Sequence, residues 1–181
     1  TAVIDGEPVV GALNIFNAAI ASTTGVGNDI VAIGSRYVGQ GHMLSVMFGL
    51  PAAGLAMIHC AKDKNRNKVK ALIVAGIAAS ILTGITEPLE FTFMFISPIL
   101  FLFHVIVYGF GFMIMDLLGV AVGGVQAGLI DFTVFGLLRG MDTKWYLIII
   151  VGIIIALVYY FGFRYIITKF NIMTPGREDD V

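Results

Sequence analysis

The sequence predicts an all-α membrane protein, on the evidence of its composition and its long apolar stretches. Of the 181 residues, 58% are hydrophobic and only 13% are charged, whereas a typical soluble domain has about 45–50% apolar and about 25% charged residues. Apolar stretches of the length that a membrane helix needs recur along the chain. A soluble protein of this size needs more charge to cover its surface, so lipid is the expected solvent for much of this one.

The composition also excludes several classes of function. The net charge is -1 and no basic stretch is interleaved with aromatic residues, so we expect no nucleic-acid partner. The single cysteine, Cys60, excludes a disulfide framework and a multi-thiolate metal site within the chain. No phosphate-binding loop, Cys-x-x-Cys pair or hydrolase motif is present, and we expect neither a metal nor a cofactor. The chain begins with Thr1, so we expect it to be part of a longer protein.

The first third of the chain is expected to hold a short helix, a loop and one interrupted apolar segment. A helix is predicted over residues 11–21, and the glycine, asparagine and threonine content of residues 23–29 predicts a loop. Residues 43–61 are almost wholly apolar, but Gly49-Leu50-Pro51 interrupts them. Because proline lacks a backbone donor and clashes with the preceding turn, we expect a helix there to kink or break.

Two basic segments set the expected topology. Residues 62–70 hold five lysines and arginines against one acid, and basic residues also follow the apolar residues 145–163. The excess of positive charge on cytoplasmic loops predicts that both segments face the cytoplasm. The chain between them must then cross the membrane an even number of times. Hydropathy gives three candidates, 71–86, 98–120 and 145–163, so either one is re-entrant or residues 121–138 also cross.

Two apolar segments are each broken by glycine and proline, which is the sequence pattern of a transporter binding site. One contains Gly49-Leu50-Pro51, and the other is residues 84–91, which read GITEPLEF. Broken helices expose backbone N–H and C=O groups at membrane depth, where they can hydrogen-bond a polar substrate. The alternative is a pair of kinks without function, which membrane helices tolerate.

Glu87 and Glu90 favour the functional interpretation. A charged side chain at the bilayer centre costs about 3 kcal/mol on insertion scales, so two carboxylates in an apolar setting require partners. Sugar hydroxyls suit them, because an ionised carboxylate only accepts hydrogen bonds. The alternative is a structural cap or an ion pair with another helix; Thr86 or Glu87 could cap a helix that Pro88 begins.

The remaining polar residues give weaker signals. Arg36 and His42 could reach a sugar or a phosphate, or could lie in a solvated loop. His59 is expected at the membrane interface, and Cys60 is expected to be a buried small residue rather than a nucleophile. His104 and Asp116 are expected to pack between helices, and Asp116 could instead lie at an interface. Asp131 is expected to cap a helix or to line the path.

Residues 84–91 resemble the signature of the glucose, maltose and N-acetylglucosamine family of enzyme IIC, the membrane subunit of the bacterial phosphotransferase system. Residues 47–53, 127–132 and 171–178 also resemble segments of that family, in the same order. The resemblance implies transmembrane helices with two re-entrant hairpins, and a homodimer in the bacterial inner membrane. It also divides the chain into the C-terminal part of the IIC domain, residues 1–170, and the start of a flexible linker to a cytoplasmic IIB domain, residues 171–181.

The resemblance further implies a sugar permease whose cargo is phosphorylated by a phosphocysteine of the IIB domain. The sugar is a hexose or a glucose-containing disaccharide, with maltose or glucose favoured. Glu87 would bind the sugar; the catalytic residue stays unassigned. The complete set of expected substrate-binding residues is Glu87, Thr86, Gly49, Leu50, Glu90, His42 and Arg36. Two alternatives remain open: a secondary transporter driven by an ion gradient, and a structural membrane subunit, which would need no intramembrane acid.

Overall fold

The computed structural model describes residues 1–22, 27–35, 38–124 and 126–178, and these are mainly helical. A small antiparallel hairpin comes first, with strands β1 (Ala2–Ile4) and β2 (Glu7–Val9). The helices that follow, in chain order, are α1 (Ala12–Ala21), α2 (Asn28–Ser35), α3 (Gln40–Cys60), α4 (Asp63–Thr83), α5 (Glu87–Met94), α6 (Pro98–Leu117) and α7 (Trp145–Lys169).

The all-α membrane class is confirmed. Within the described residues, α3, α6 and α7 are long and apolar enough to cross a membrane. The predicted helix at residues 11–21 is α1. Of the predicted loop at 23–29, residues 23–26 lie outside the described residues, and α2 already begins at Asn28. Between α6 and α7 the chain forms only short helical turns, at Leu129–Asp131, Phe132–Gly136, Leu137–Arg139 and Met141–Thr143.

Helix α3 is the centre of the bundle and contacts α4, α6 and α7. Of its most apolar stretch, 72% is buried, against 22% and 28% in α6 and α7. The expected break at Gly49-Leu50-Pro51 does not occur. Instead, a π-helical turn over Ser45–Gly49 precedes Pro51, and the Leu50 N–H donates to the Ser45 carbonyl five residues back. This wider turn absorbs the proline within a continuous helix.

Aromatic rings packed on glycines join α3 to α7. The Phe48 ring lies over Gly152, where an added Cβ would come within 2.5 Å of it, and the Tyr159 ring lies over Gly49, where a Cβ would come within 2.7 Å. Each helix therefore contributes one glycine and one ring to the contact. Small residues at membrane-helix interfaces let backbones approach closely, and that is their use here.

The chain reverses direction between α4 and α5. Gly84 ends α4 in the left-handed conformation, with φ 78°, and a Cβ there would lie 1.7 Å from the Gln126 carbonyl oxygen, so only glycine fits. Helix α5 then returns along α4, because Gly76 faces the Leu89 side chain. The predicted crossing at residues 71–86 is thus the second half of α4, followed by a return.

The two basic segments lie at the same end of the bundle, as an even number of passes between them requires. At one end of the bundle the Lys62 N–H donates to the Gly176 carbonyl at 3.0 Å, so the turn before α4 and the segment after α7 lie together. Helix α6 runs opposite to α7: Phe103 packs on Phe163 near one end, and Lys144 Nζ donates to the Leu118 carbonyl at the other. The segment after α7, predicted to be a flexible linker, is packed against the bundle through residue 178.

The ring-on-glycine contact can be tested by replacing Gly152 with alanine. Alanine normally stabilises a helix interior by about 1 kcal/mol relative to glycine, but here its Cβ would collide with the Phe48 ring. We expect Gly152→Ala to destabilise the protein by about 1–3 kcal/mol, as overpacking does, measured as a lower thermal midpoint in detergent. Gly109→Ala is the matched control, because a Cβ there meets nothing within 4 Å. Equal midpoints for the two variants would contradict the packing account.

Candidate functional site

The two acids of the GITEPLEF segment lie in the first turn of α5. Thr86 precedes the helix and is 9% exposed, whereas Glu87 is exposed and the Glu90 side chain is 24% exposed. Carboxylates near a helix N-terminus are favoured by the helix dipole. Helix α5 is not one of the three long spans.

Glu90 faces a buried histidine of α6. His104 Nε2 lies 3.7 Å from Glu90 Oε1, and His104 is only 5% exposed. On its other side, His104 Nδ1 lies 2.9 Å from the hydroxyl of Tyr159, which is also 3.3 Å from the His104 carbonyl oxygen. If the hydroxyl donates to Nδ1, then Nε2 carries the proton that faces Glu90. If the hydroxyl donates to the carbonyl instead, Nδ1 can carry the ring proton and Nε2 then presents a lone pair to Glu90. The orientation of the Tyr159 hydroxyl therefore sets whether His104 offers Glu90 a donor or an acceptor.

Tyr108 connects this pair to a second histidine, on α3. Its ring stacks on His104, with centroids 5.6 Å apart and planes 28° apart, and its hydroxyl is hydrogen-bonded to His42 Nδ1. Glu87 lies one turn before Glu90 on α5, and the electrostatic influence of its carboxylate reaches His42. Two acids, two histidines and two tyrosines from α3, α5, α6 and α7 therefore form one cluster, which we call the polar cluster: Glu87, Glu90, His42, His104, Tyr108 and Tyr159.

The chemistry of the polar cluster suits an uncharged ligand with several hydroxyl groups. Ionised carboxylates accept hydrogen bonds and do not donate, whereas histidine and tyrosine can do either. Such a set can match hydroxyls in both roles without binding a net charge. Among the described residues no group of three or more His, Cys, Asp or Glu side chains is arranged to hold a metal ion.

The structure brings together only some of the residues expected from the sequence. Thr86, Glu87, Glu90 and His42 lie in or beside the polar cluster. Gly49 lies under the Tyr159 ring, on the packing side of that residue, and Leu50 is 1% exposed in the apolar core. Arg36 lies outside the described residues. A ligand role for Gly49 and Leu50 stays a prediction, and their positions give both a packing role.

Sequence reasoning missed the aromatic members of the cluster. His104 was expected only to pack between helices, and Tyr108 and Tyr159 were not identified. One signal was available: His104 and Tyr108 are four residues apart on an apolar helix, so they share a face. Tyr159 carried no such signal, because it belongs to a run of aromatic residues that predicts a membrane interface.

Other singled-out residues have local roles. Asp131 accepts from the N–H groups of Gln126 and Ala127, both at 2.9 Å, so it holds the loop before its own helical turn rather than capping a long helix. His59 is hydrogen-bonded to the Tyr160 hydroxyl at an exposed position at the end of α3.

Membrane-crossing helices around an interior cluster of ionisable side chains are typical of a membrane transport domain. The sequence matches the family described as "Phosphotransferase system, EIIC" over residues 7–109. It is 46% identical over 176 residues to the maltose-specific EIICB component of the phosphotransferase system of Escherichia coli K12. It is also 48% identical over 141 residues to the glucose-specific EIICBA components of Staphylococcus saprophyticus and Staphylococcus carnosus.

The chain belongs to the EIIC family of the phosphotransferase system, which confirms the resemblance seen at residues 84–91. The matches cover 97% of the chain for the maltose-specific relative and 77% for the two glucose-specific ones. The chain spans only 33% and 21% of the lengths of these relatives. It is an integral membrane part of the phosphotransferase system, and three of its described helices are long and apolar enough to cross a membrane.

The link between Tyr159 and His104 can be tested by removing one hydroxyl. Tyr159→Phe keeps the ring over Gly49 but leaves His104 Nδ1 without its partner, and an unsatisfied buried polar group costs about 1–3 kcal/mol. We expect a lower thermal midpoint in detergent. Tyr146→Phe is the control, because Tyr146 lies at the start of α7, 36% exposed. If both variants unfold at the wild-type midpoint, the hydroxyl does not hold the histidine.

Proposed function

We propose that this chain binds a hexose or a glucose-containing disaccharide at the polar cluster and carries it across the membrane for phosphorylation by a phosphocysteine of a IIB domain. The observation that carries the proposal is the pairing of Glu90 with the buried His104, with Glu87 exposed one turn away in the same GITEPLEF segment. The names of the relatives support it, because they are maltose- and glucose-specific components that combine EIIC with EIIB. Maltose and glucose are therefore the sugars to test first.

Glu87 is the residue to which we assign sugar binding. It is exposed at the start of α5, so its carboxylate is free to accept from sugar hydroxyls, whereas Glu90 is half-buried against His104. Thr86 and His42 flank it and supply a hydroxyl and a ring nitrogen. Arg36, Gly49 and Leu50 complete the proposed set, with a secondary part for the two residues that pack in α3.

The out-and-back course of α4 and α5 supports the proposal that this segment is a re-entrant hairpin. Helix α5 has only eight residues, about 12 Å at 1.5 Å each, which is far less than the roughly 30 Å of a bilayer core. The turn at Gly84–Thr86 would then lie at membrane depth, where backbone groups released from the helices face the substrate path. A homodimer in the bacterial inner membrane is part of the same proposal.

The phosphoryl transfer itself belongs to the partner domain. The S–P bond of the IIB phosphocysteine breaks and releases the cysteine thiolate, an O–P bond forms to a sugar hydroxyl, and the hydroxyl proton is taken up by the thiolate or by solvent. This chain contributes the bound sugar and its orientation, which bring the reacting atoms together. Cys60 is not needed as a carrier in this scheme. Its carbonyl and side chain lie at the end of α3, half-buried.

Replacing the proposed sugar ligand should weaken binding without unfolding the protein. Glu87→Gln keeps the shape of the side chain but loses charge-assisted hydrogen bonds, worth about 1.5–3 kcal/mol. We expect the Kd for the sugar to rise by about 10- to 100-fold, measured by calorimetry on detergent-solubilised protein. Glu7→Gln, in the exposed β-hairpin, is the matched control. Unchanged affinity in a folded Glu87→Gln protein would remove Glu87 from the site.

The dependence on a phosphoryl donor separates this proposal from ion-coupled transport. Proteoliposomes that contain the protein should release phosphorylated sugar on the donor side only when phosphorylated IIB is supplied. Cys60→Ser should release as much as wild type, because the donor cysteine lies on IIB. Accumulation of unmodified sugar under an ion gradient, with no phosphorylated product, would instead establish the secondary transporter. Loss of product in Cys60→Ser, with sugar binding intact, would make Cys60 a phosphoryl carrier.

A further inference from the structure

The residues that follow α7 turn back onto the bundle. The Ile172 N–H donates to the Ile167 carbonyl at 3.0 Å, which closes the helix, and Thr174 is fully buried. Two residues later the Gly176 carbonyl accepts from the N–H of Lys62, in the short turn between α3 and α4. We call residues 171–178 the tail clasp.

Arg177 makes three of the hydrogen bonds that hold the tail clasp in place. Its guanidinium donates from Nε to the Ile172 carbonyl at 2.9 Å, from Nη1 to the Cys60 carbonyl at 3.1 Å and from Nη2 to Asn171 Oδ1 at 2.8 Å. The Cys60 carbonyl is among the last of α3, which have no partner within the helix. A cation is also favoured at that end of a helix. One side chain thus joins the end of α3 to both ends of the tail.

Gly176 allows the tail to approach Val69 and Ala61 closely, and this close approach rather than flexibility explains the glycine. Its φ is +85°, and an added Cβ would lie 2.8 Å from Val69 Cγ2 and 2.9 Å from the Ala61 Cβ. Its N–H donates to Glu178 Oε2 at 2.8 Å. A free linker needs neither a left-handed glycine against a helix nor a buried threonine. These features indicate a docked segment with a defined path.

We propose that the tail clasp anchors the chain beyond residue 178 beside the turn between α3 and α4, and so fixes the point from which the phosphoryl-donor domain operates. This inference rests on the proposed function, because it assigns the donor to a domain that follows this chain. Arg177 and Gly176 are positioning residues in it: they touch neither sugar nor phosphate. The clasp shortens the free tether by the eight residues from 171 to 178.

A shorter tether has a measurable consequence. The effective concentration of a tethered partner falls roughly as the −3/2 power of tether length once the tether exceeds the span. If the free linker has about ten to twenty residues, adding eight should therefore lower the rate of transfer within one molecule by about 1.7- to 2.4-fold. Transfer from a separate IIB domain has no tether and should not change.

The docked state is tested first by limited trypsin digestion after residue 177. Gly176→Ala places a methyl group against Val69 and Ala61 and should release the tail, while Arg177→Lys keeps the cleavage site and the charge but loses the planar fork. We expect the bond after residue 177 to be cut at least tenfold faster in either variant than in wild type. Gly6→Ala is the matched control, with the same φ of +85° and nothing within 4 Å of the added Cβ. Wild-type cleavage as fast as in Gly176→Ala would overturn the clasp.

The function of the clasp is tested by single-turnover transfer to sugar in two formats. With IIB joined to the C-terminal end of the chain, Gly176→Ala and Arg177→Lys should transfer about 1.7- to 2.4-fold more slowly than Gly6→Ala. With IIB added separately, all three should match wild type, and sugar affinity should be unchanged. An equal loss in both formats, or no loss in the joined format, would overturn the anchoring role. If wild type phosphorylates no sugar in either format, the proposed function fails. The trypsin digestion then still tests whether the tail clasp is docked.

Discussion

The fold is organised around one partly buried carboxylate, Glu90, which lies beside an apolar bundle and faces His104. A charged group at membrane depth costs several kcal/mol unless the protein supplies partners. Glu90 obtains one from His104, and Glu87 lies within electrostatic reach of His42. Because each histidine must itself be held, Tyr108 and Tyr159 follow as second partners. These demands come from four helices, so the polar cluster fixes how α3, α5, α6 and α7 pack as well as what the site can bind.

Packing and chemistry share residues in this structure. The Tyr159 ring fills the space above Gly49, while its hydroxyl holds His104. The π-helical turn over Ser45–Gly49 lets α3 contain Pro51 without a break, and it delivers Gly49 to that ring. A change in the apolar contact between α3 and α7 would therefore move a member of the polar cluster.

The sequence predicted the membrane class, the long helices at α6 and α7, and the acids of α5, because hydropathy and an isolated intramembrane charge are strong local signals. It predicted a kink or break at Pro51, where the structure shows a continuous helix with a π-helical turn. It also predicted a flexible linker after residue 170, and the described residues of that segment contact the bundle. The π turn depends on contacts with α7, and the tail is held by Arg177 across a separation of 117 positions to Cys60. Tyr159 could not be identified from the sequence for the same reason, since its partner His104 is 55 positions away. Contacts of this kind arise from the fold and leave no pattern in a short window of sequence.

A structure of the protein with bound maltose or glucose would show whether the polar cluster holds the sugar. We expect sugar hydroxyl oxygens within hydrogen-bond distance, about 2.5–3.2 Å, of the Glu87 carboxylate, with His42 in reach of the same sugar ring and Glu90 still beside His104. A sugar bound elsewhere, with no hydroxyl oxygen near the Glu87 carboxylate, would show that the polar cluster is not the binding site.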